Sequence, residues 1–153
     1  MRFIVNGVER ELEVPPHRLL SELLHDLGLN VPPAPCCDGD CGAGMVLVDG
    51  MPVEAGLTLA WRARGRAVET AEGLAPPGSP VARAFAAAGA DACPHCTPGV
   101  LVAAAQALRV NPWITEDEAR AALMGNLCRC GGYVPQVAAI LAAAGEIQTG
   151  GGA

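Results

Sequence analysis

Four cysteines in the second half of the 153-residue chain form two closely spaced pairs. Cys93 and Cys96 are separated by two residues, a stretch of 31 residues follows, and one residue separates Cys128 from Cys130. Four thiolates can hold a [2Fe–2S] cluster. Each pair stands at the start of an alanine-rich segment with a helical pattern, and helix starts favour the negative charge of thiolates and sulfides. The pattern therefore predicts one [2Fe–2S] cluster held between two helix starts.

Two other kinds of site are compatible with the same four cysteines. A tetrahedral zinc centre also takes four thiolates, and it would serve only as a structural metal in a docking or assembly module. Residues 93–96 read C-P-H-C, the C-x-x-C form of thiol–disulfide oxidoreductases, in which a helix start lowers the pKa of the first thiol. The thiol–disulfide hypothesis leaves the second cysteine pair unexplained. A zinc module more usually has two C-x2-C pairs, whereas the second pair here is C-x-C.

The residues around both pairs resemble the small iron–sulfur subunit of the xanthine oxidase family of molybdenum hydroxylases. In that family a ferredoxin-like domain precedes a helical domain whose cluster is held by C-G-x-C-T-P-G and N-x-C-R-C-x-G-Y motifs. Residues 96–99 and 126–133 match these motifs closely, and the resemblance covers residues 1–146. It implies an electron-transfer subunit without catalytic residues of its own, whose single cluster is bound by Cys93, Cys96, Cys128 and Cys130.

The resemblance also implies partners. A large subunit would carry the molybdopterin cofactor and hydroxylate or dehydrogenate an aldehyde or an N-heterocycle, and a subunit with FAD or a cytochrome would be a second partner. The family has a pterin-contacting glutamine before the first cysteine, where this chain has Ala92. Pro94 and His95 replace the glycine and aromatic residue that follow. We interpret His95 as an exposed loop residue and Tyr133 as a packing residue.

Composition argues against a nucleic-acid partner and against a membrane span. The net charge is −6, and the ten basic residues, all arginine, form no cluster. No apolar stretch approaches the ~20 residues that a membrane span needs, and no signal peptide is recognisable, so we expect a cytoplasmic protein. Seven cysteines in such a chain indicate metal or redox chemistry rather than a disulfide framework.

The first half of the chain has the pattern of a ferredoxin-type β-grasp fold. Asn-Gly and Asp-Gly dipeptides each separate two strand-like runs, which is the signal of a β-hairpin. Leucines at helical spacing between the two hairpins predict a helix that ends at Gly28. The predicted elements are strands over residues 2–5, 9–14, 45–48, 51–53 and 57–61, and a helix over residues 19–27.

Beyond a Gly- and Pro-rich linker the pattern becomes helical. Ser79-Pro80, Thr97-Pro98 and a capping box over residues 115–118 predict three helix starts, and residues 133–145 predict a fourth helix. The predicted class is α+β. Its parts are a ferredoxin-like β-grasp domain over residues 1–72, a linker over 73–79, a four-helix [2Fe–2S] domain over 80–146 and a flexible tail over 147–153.

The β-grasp domain lacks two of the four ligands that a plant-type ferredoxin cluster needs. Such clusters use C-x4-C-x2-C and a further cysteine. Cys36 and Cys41 match the first two positions, whereas Gly44 and Gly56 occupy the other two. Glycine has no side chain to bind iron, so we predict that this cluster is absent. Cys37 adds a third thiol, and these three cysteines could form a weak or vestigial metal site or a disulfide.

Overall fold

The computed structural model describes residues 1–32, 36, 38–91 and 93–150, so Cys37 and Ala92 lie outside the described residues. The described residues form a mixed helix and strand fold, which confirms the predicted α+β class. Its strands are β1 (Arg2–Val5), β2 (Val8–Glu11), β3 (Met45–Val48), β4 (Met51–Glu54) and β5 (Ala67–Glu69). Its helices are α1 (Leu20–Asp26), α2 (Ala71–Leu74), α3 (Pro80–Ala87), α4 (Thr97–Val110), α5 (Glu116–Ala122) and α6 (Tyr133–Gly150).

The strands form one sheet in the order β2-β1-β5-β3-β4. β1 and β5 are parallel, and the other neighbours are antiparallel. Both predicted hairpins are confirmed. Their turns place Asn6 at φ 49° and Gly7 at φ 79°, and Asp49 at φ 51° and Gly50 at φ 78°. Two successive positive φ angles are the geometry that Asn-Gly and Asp-Gly favour in two-residue hairpin turns.

The strand predicted over residues 57–61 is wrong. Residues 55–57 and 60–63 form short turns of 3-10 helix instead. Ala60 and Ala63 are fully buried in the core around α1, while the larger Leu57 and Leu59 are exposed. The fifth strand is β5, whose three residues pair with β1 on one side and β3 on the other. A strand this short has little signal of its own, so its neighbours in the sheet determine it.

β3 is buried on both faces and joins the two halves of the chain. Val46 and Val48 pack with Leu24 of α1 in the core of the first half. Leu47 points to the opposite face, where it packs with Val102 of α4. The sheet is therefore a middle layer between α1 and α4, and the first long helix of the second half rests directly on it.

The second half has its own core, and its helix starts agree with the sequence. Ser79 Oγ accepts a hydrogen bond from the N–H of Ala82, and Thr115 forms a reciprocal capping box with Glu118. The buried side chains come from α3, α4, α5 and α6 and from the segments that connect them. They include Phe85, Val100, Leu108, Leu123 and Ile140. Among the described residues, no helix is both long enough and apolar enough to cross a membrane.

Several element boundaries differ from the sequence-based prediction, among them that of β2, which ends at Glu11 rather than at residue 14. α2 extends to Leu74, so the predicted linker begins within a helix. α6 continues to Gly150, which makes residues 147–150 helical where a flexible tail was predicted. Ile147 packs against the helical core, and Gln148 Nε2 donates a hydrogen bond to the Pro112 carbonyl at 2.6 Å. These tertiary contacts extend the helix beyond its apolar pattern.

Candidate iron–sulfur site

The fold brings together the two cysteine pairs of the second half. Cys96 is the N-cap residue of α4, and Cys93 lies just before the turn that leads into this helix. Cys128 and Cys130 lie in the loop between α5 and α6. Cys96 is buried, Cys93 and Cys128 are half-buried, and Cys130 is exposed. The site thus lies at the start of α4, with one edge open to solvent.

The sulfurs of the two cysteine tracts, residues 93–96 and 128–130, approach each other in an arrangement that we call crosswise: Cys96 contacts Cys128, and Cys93 contacts Cys130. Cys96 Sγ lies 3.8 Å from Cys128 Sγ, and the Cys93 thiol is hydrogen-bonded to those of Cys96 and Cys130. Two sulfurs bound at about 2.3 Å to one tetrahedral metal ion are about 3.8 Å apart. Among the described residues, no three Cys, His, Asp or Glu side chains lie close enough to hold a single metal ion. The distance between Cys96 and Cys128 suits two ligands of one metal.

Backbone N–H groups favour the thiolate form at two of the four cysteines. The N–H groups of His95 and Cys96 hydrogen-bond to Cys93 and lower the pKa of its thiol. Burial acts to raise the pKa of Cys128, but the N–H groups of Gly132 and the two residues before it, together with the Cys96 thiol, outweigh that effect, so the pKa is lowered. The Gly132 nitrogen lies 3.3 Å from Cys128 Sγ. These donors favour negative sulfur at the site.

Cys96 has the opposite environment. Burial raises the pKa of its thiol to about 12, and the neighbouring thiols of Cys128 and Cys93 add to the effect. A thiolate there needs a compensating positive charge, and a bound metal ion supplies one and deprotonates its thiol ligands. The donor set therefore fits a metal–sulfur group.

An unpaired hydroxyl beside Cys96 also fits such a group. Thr97 Oγ1 is buried and has no hydrogen-bond partner among the described residues. Buried polar groups nearly always have partners, and a hydroxyl can donate to an acceptor. Sulfur that carries negative charge is such an acceptor. Thr97 thus has a donor available for the group that the cysteines would hold.

Two residues near the cysteines were interpreted from the sequence as an exposed loop residue and a packing residue. His95 is exposed, as expected, although its backbone N–H contacts Cys93. Tyr133 has a role that the packing interpretation missed, because its hydroxyl oxygen accepts a hydrogen bond from the Cys128 N–H at 2.8 Å. Its place in the matched motif, five residues after Cys128, was the available signal. Tyr133 fixes the backbone of a candidate ligand.

The loop of the first half lies against both cysteine tracts, a contact that the sequence did not predict. The Leu127 N–H donates to the Cys41 carbonyl at 2.9 Å, and Asn126 Nδ2 donates to the Gly42 carbonyl at 3.0 Å. A Cβ on Gly99 would lie 1.9 Å from the Gly42 carbonyl oxygen, so only glycine fits at that position of α4. The backbone of the first-half loop at Cys41 and Gly42 therefore holds in place the second-half loop that carries Cys128 and Cys130.

The cysteines of the first half form a separate close pair. Cys36 Sγ and Cys41 Sγ are 2.9 Å apart, and both residues are half-buried. Burial raises the pKa of Cys41, and the Cys36 thiol adds to this effect. Gly44 and Gly56 offer no side-chain donor, so the described residues do not fit a four-thiolate cluster here. The predicted thiol Cys37 lies outside the described residues.

Comparisons with known proteins give one consistent result. A family model described as a [2Fe-2S] binding domain matches residues 70–141. The iron-sulfur-binding subunit of xanthine dehydrogenase from Escherichia coli O157:H7 is 44% identical over 134 residues, which cover 84% of each chain. Quinoline 2-oxidoreductase from Pseudomonas putida 86 has a chain that matches 98% of this one and is 97% covered, with a TM-score of 0.87 and 36% identity.

Another solved structure shows the same fold within a longer chain. The aldehyde oxidoreductase from Desulfovibrio gigas matches 98% of this chain with a TM-score of 0.86 and 35% identity. The matched part is only 17% of that enzyme's chain. The fold therefore occurs both as a separate subunit and as a segment of a larger oxidoreductase.

Proposed function

The chain belongs to the family of small iron–sulfur subunits of xanthine oxidase-type molybdenum hydroxylases, and from this premise we propose that it transfers electrons within such an enzyme. Its single [2Fe–2S] cluster would be held by Cys93, Cys96, Cys128 and Cys130. The observation that carries this assignment is the approach of the two tracts, with Cys96 Sγ 3.8 Å from Cys128 Sγ.

The chain's own residues have distinct tasks at this site. When bound, a [2Fe–2S] cluster supplies a centre that accepts and releases one electron at a time. The thiolates of the two tracts would hold it and would so join α4 to the loop before α6. The N–H groups at Cys93 and Cys128 stabilise negative sulfur. Because two separate helical segments share the metal, binding and folding are coupled.

An apolar surface formed by residues that flank the Cys128–Cys130 tract in the sequence suits the docking of a larger subunit. Met124 and Leu127 are 81% and 56% exposed, and both line a recess of about 370 Å³. Val134, at the start of α6, is 70% exposed. Large apolar side chains grouped at the surface are typical of protein interfaces. We place the molybdopterin-containing subunit here because electron transfer requires the cluster edge to lie at the interface.

The substrate would be bound by that partner. Two of the similar proteins are named for xanthine and quinoline, which are N-heterocycles, and the third for aldehydes. The proposed substrate class is therefore an aldehyde or an N-heterocycle. Electrons would then pass from the cluster to a subunit with FAD or a cytochrome.

The proposed division of this chain is a β-grasp domain over residues 1–72 and a four-helix cluster domain over 80–146. The packing of α4 on β3 holds the two domains together.

Metal and sulfide analysis of the natively purified complex tests the proposal. We expect about two irons and two acid-labile sulfides per chain, and one rhombic electron paramagnetic resonance signal after reduction. Cys128→Ser should abolish that signal, because it removes a ligand from the crosswise pair. Cys36→Ser is the matched control, since it removes a thiol outside the proposed site, and it should leave the iron content unchanged.

Three results would contradict the proposal. Zinc without visible absorption would indicate the structural metal site of a docking module. Four irons per chain would show that the first half also holds a cluster. An iron-free protein, even when produced anaerobically together with its partners, would exclude electron transfer by this chain.

A further inference from the structure

The first half of the chain contains a thiol pair that the proposed electron-transfer site does not use. Cys36 and Cys41 are five positions apart in the sequence, yet their Sγ atoms are 2.9 Å apart. Both residues are half-buried, so each remains accessible from solvent. Their positions match two ferredoxin ligands, whereas Gly44 and Gly56 remove the other two donors. The pair therefore keeps two thiols in contact without the remainder of a cluster site.

We propose that Cys36 and Cys41 are a redox-active dithiol that closes to an intramolecular disulfide. A disulfide bond is about 2.05 Å long, so the two sulfurs must approach by only roughly 0.9 Å. Cys36 itself has no regular secondary structure, and Cys41 lies in a turn. Small backbone adjustments in such segments can supply this movement without disturbing the sheet.

The charge around the pair is compatible with a disulfide. Glu54 lies close enough to act electrostatically on Cys41, and its Oε2 atom is buried without a hydrogen-bond partner among the described residues. Burial, the Cys36 thiol and this carboxyl group all raise the pKa of Cys41 and so disfavour a permanent thiolate. Two thiols and a disulfide are both uncharged, so either redox state fits this site.

The reaction needs a two-electron oxidant, and we assign this role to a low-molecular-weight disulfide. One protein thiolate attacks a sulfur of the oxidant, forms a mixed disulfide and releases one small thiol. The second protein thiolate then attacks the protein sulfur of that mixed disulfide and releases the other small thiol. Two protein thiols are thereby oxidised to one disulfide, and one small disulfide is reduced to two thiols.

The loop connects this pair to the candidate cluster site. The Cys41 carbonyl accepts a hydrogen bond from Leu127, which directly precedes Cys128. The next residue, Gly42, accepts the hydrogen bond from Asn126. Closing the disulfide should therefore shift the loop that carries Cys128 and Cys130. The dithiol itself does not depend on the proposed function, because its chemistry needs only the two thiols and the oxidant.

Thiol trapping on the full chain in its purified complex tests the proposal. Samples are equilibrated without oxygen in buffers of varied oxidised-to-reduced glutathione ratio, quenched with acid and alkylated. Peptide mapping then reports which cysteines were protected. We expect Cys36 and Cys41 to become protected together, with the loss of two hydrogens. Cleavage before Asp38 or Asp40 should leave two peptides joined by one bond.

Single-cysteine variants make the result specific. Cys36→Ser and Cys41→Ser should each abolish the cross-link, and Cys37→Ser, the matched control in the same loop, should retain it. The proposal is overturned if both thiols are alkylated at every glutathione ratio, if the bond uses Cys37, or if a bound metal protects the thiols. Iron and sulfide analysis of the same samples reports separately on the proposed function, so the two failures can be distinguished.

Discussion

At the scale of single residues, the four candidate ligands differ in how deeply they are buried. Cys96 is buried with a thiol pKa of about 12, whereas Cys130 is exposed. A thiolate at the buried position needs a metal ion for charge compensation, so Cys96 gains most from metal binding. Cys130 lies at the edge of the site that is open to solvent. A centre with one exposed ligand suits the proposed transfer of electrons to a partner.

Substitution of Thr97 tests whether its hydroxyl donates a hydrogen bond to a bound cluster. Thr97→Val keeps the shape of the side chain and removes the buried hydroxyl that has no partner among the described residues. Hydrogen bonds to sulfur help to set cluster potentials. If the hydroxyl donates to the cluster, its loss should make the reduction potential more negative by about 20–60 mV, which corresponds to one hydrogen bond of about 0.5–1.5 kcal/mol. A redox titration followed by electron paramagnetic resonance measures this shift.

Thr149→Val is the matched control for that titration. The Thr149 hydroxyl is exposed on α6 and donates to the Gly145 carbonyl at 3.0 Å. Its removal should leave the potential unchanged. A potential that is equal in both variants and the wild type would show that Thr97 does not contact the cluster.

At the scale of elements, glycine contacts connect the first-half loop with α4. Gly42 has a φ of 66°, and a Cβ there would lie 2.1 Å from the Gly125 carbonyl oxygen. Gly99 lies equally close to the backbone of the loop. The backbone of this loop therefore packs directly against both second-half cysteine tracts.

Gly99→Ala should force this contact apart. The added Cβ would lie 1.9 Å from the Gly42 carbonyl oxygen, and backbone cannot yield as a flexible side chain can. Overpacking of this kind costs about 1–3 kcal/mol. For a chain of this size, that loss lowers the melting temperature by about 2–12 °C, as measured by thermal unfolding.

Gly145→Ala is the control within α6. A Cβ on Gly145 would meet nothing within 4 Å, so the substitution adds no clash and improves helix propensity. Its melting temperature should be equal to or above that of the wild type. Equal melting temperatures for Gly99→Ala and the wild type would contradict the close contact between α4 and the loop.

At the scale of the whole molecule, apolar packing and a surface ion pair both help to join the sheet to α4. Leu47 of β3 is fully buried with Val102. Arg109 of α4 forms a two-pronged ion pair with Glu69 of β5, at 2.9 and 3.0 Å, on the surface. The hydrogen bond from Arg109 lowers the pKa of Glu69. The stabilisation from this pair is therefore present at neutral pH and is lost as the pH falls through the carboxylate range.

The two contacts should differ clearly in their contribution to stability. Leu47→Ala removes buried apolar volume between the layers and should cost about 2–5 kcal/mol. Arg109→Gln breaks an exposed ion pair and should cost less than about 1 kcal/mol. Chemical unfolding of the two variants measures both values. A larger loss for Arg109→Gln would show that charge, rather than apolar packing, holds the helical half on the sheet.

The sequence by itself determined the features that depend on a few neighbouring residues. Asn6-Gly7 and Asp49-Gly50 fix their hairpin turns because these dipeptides accept positive φ angles locally. Thr115 and Glu118 fix a helix start through mutual hydrogen bonds. The spacing and flanking residues of the second-half cysteines were likewise sufficient to identify the family, because they lie in short contiguous motifs.

Only the tertiary structure decided the features that depend on distant residues. β5 exists because β1 and β3 flank it, and α6 extends to Gly150 because Gln148 reaches Pro112. The support of the second-half ligand loop by Cys41 and Gly42 joins residues more than 80 positions apart. Such contacts form only when the chain is packed, because no local pattern encodes which backbone groups will meet.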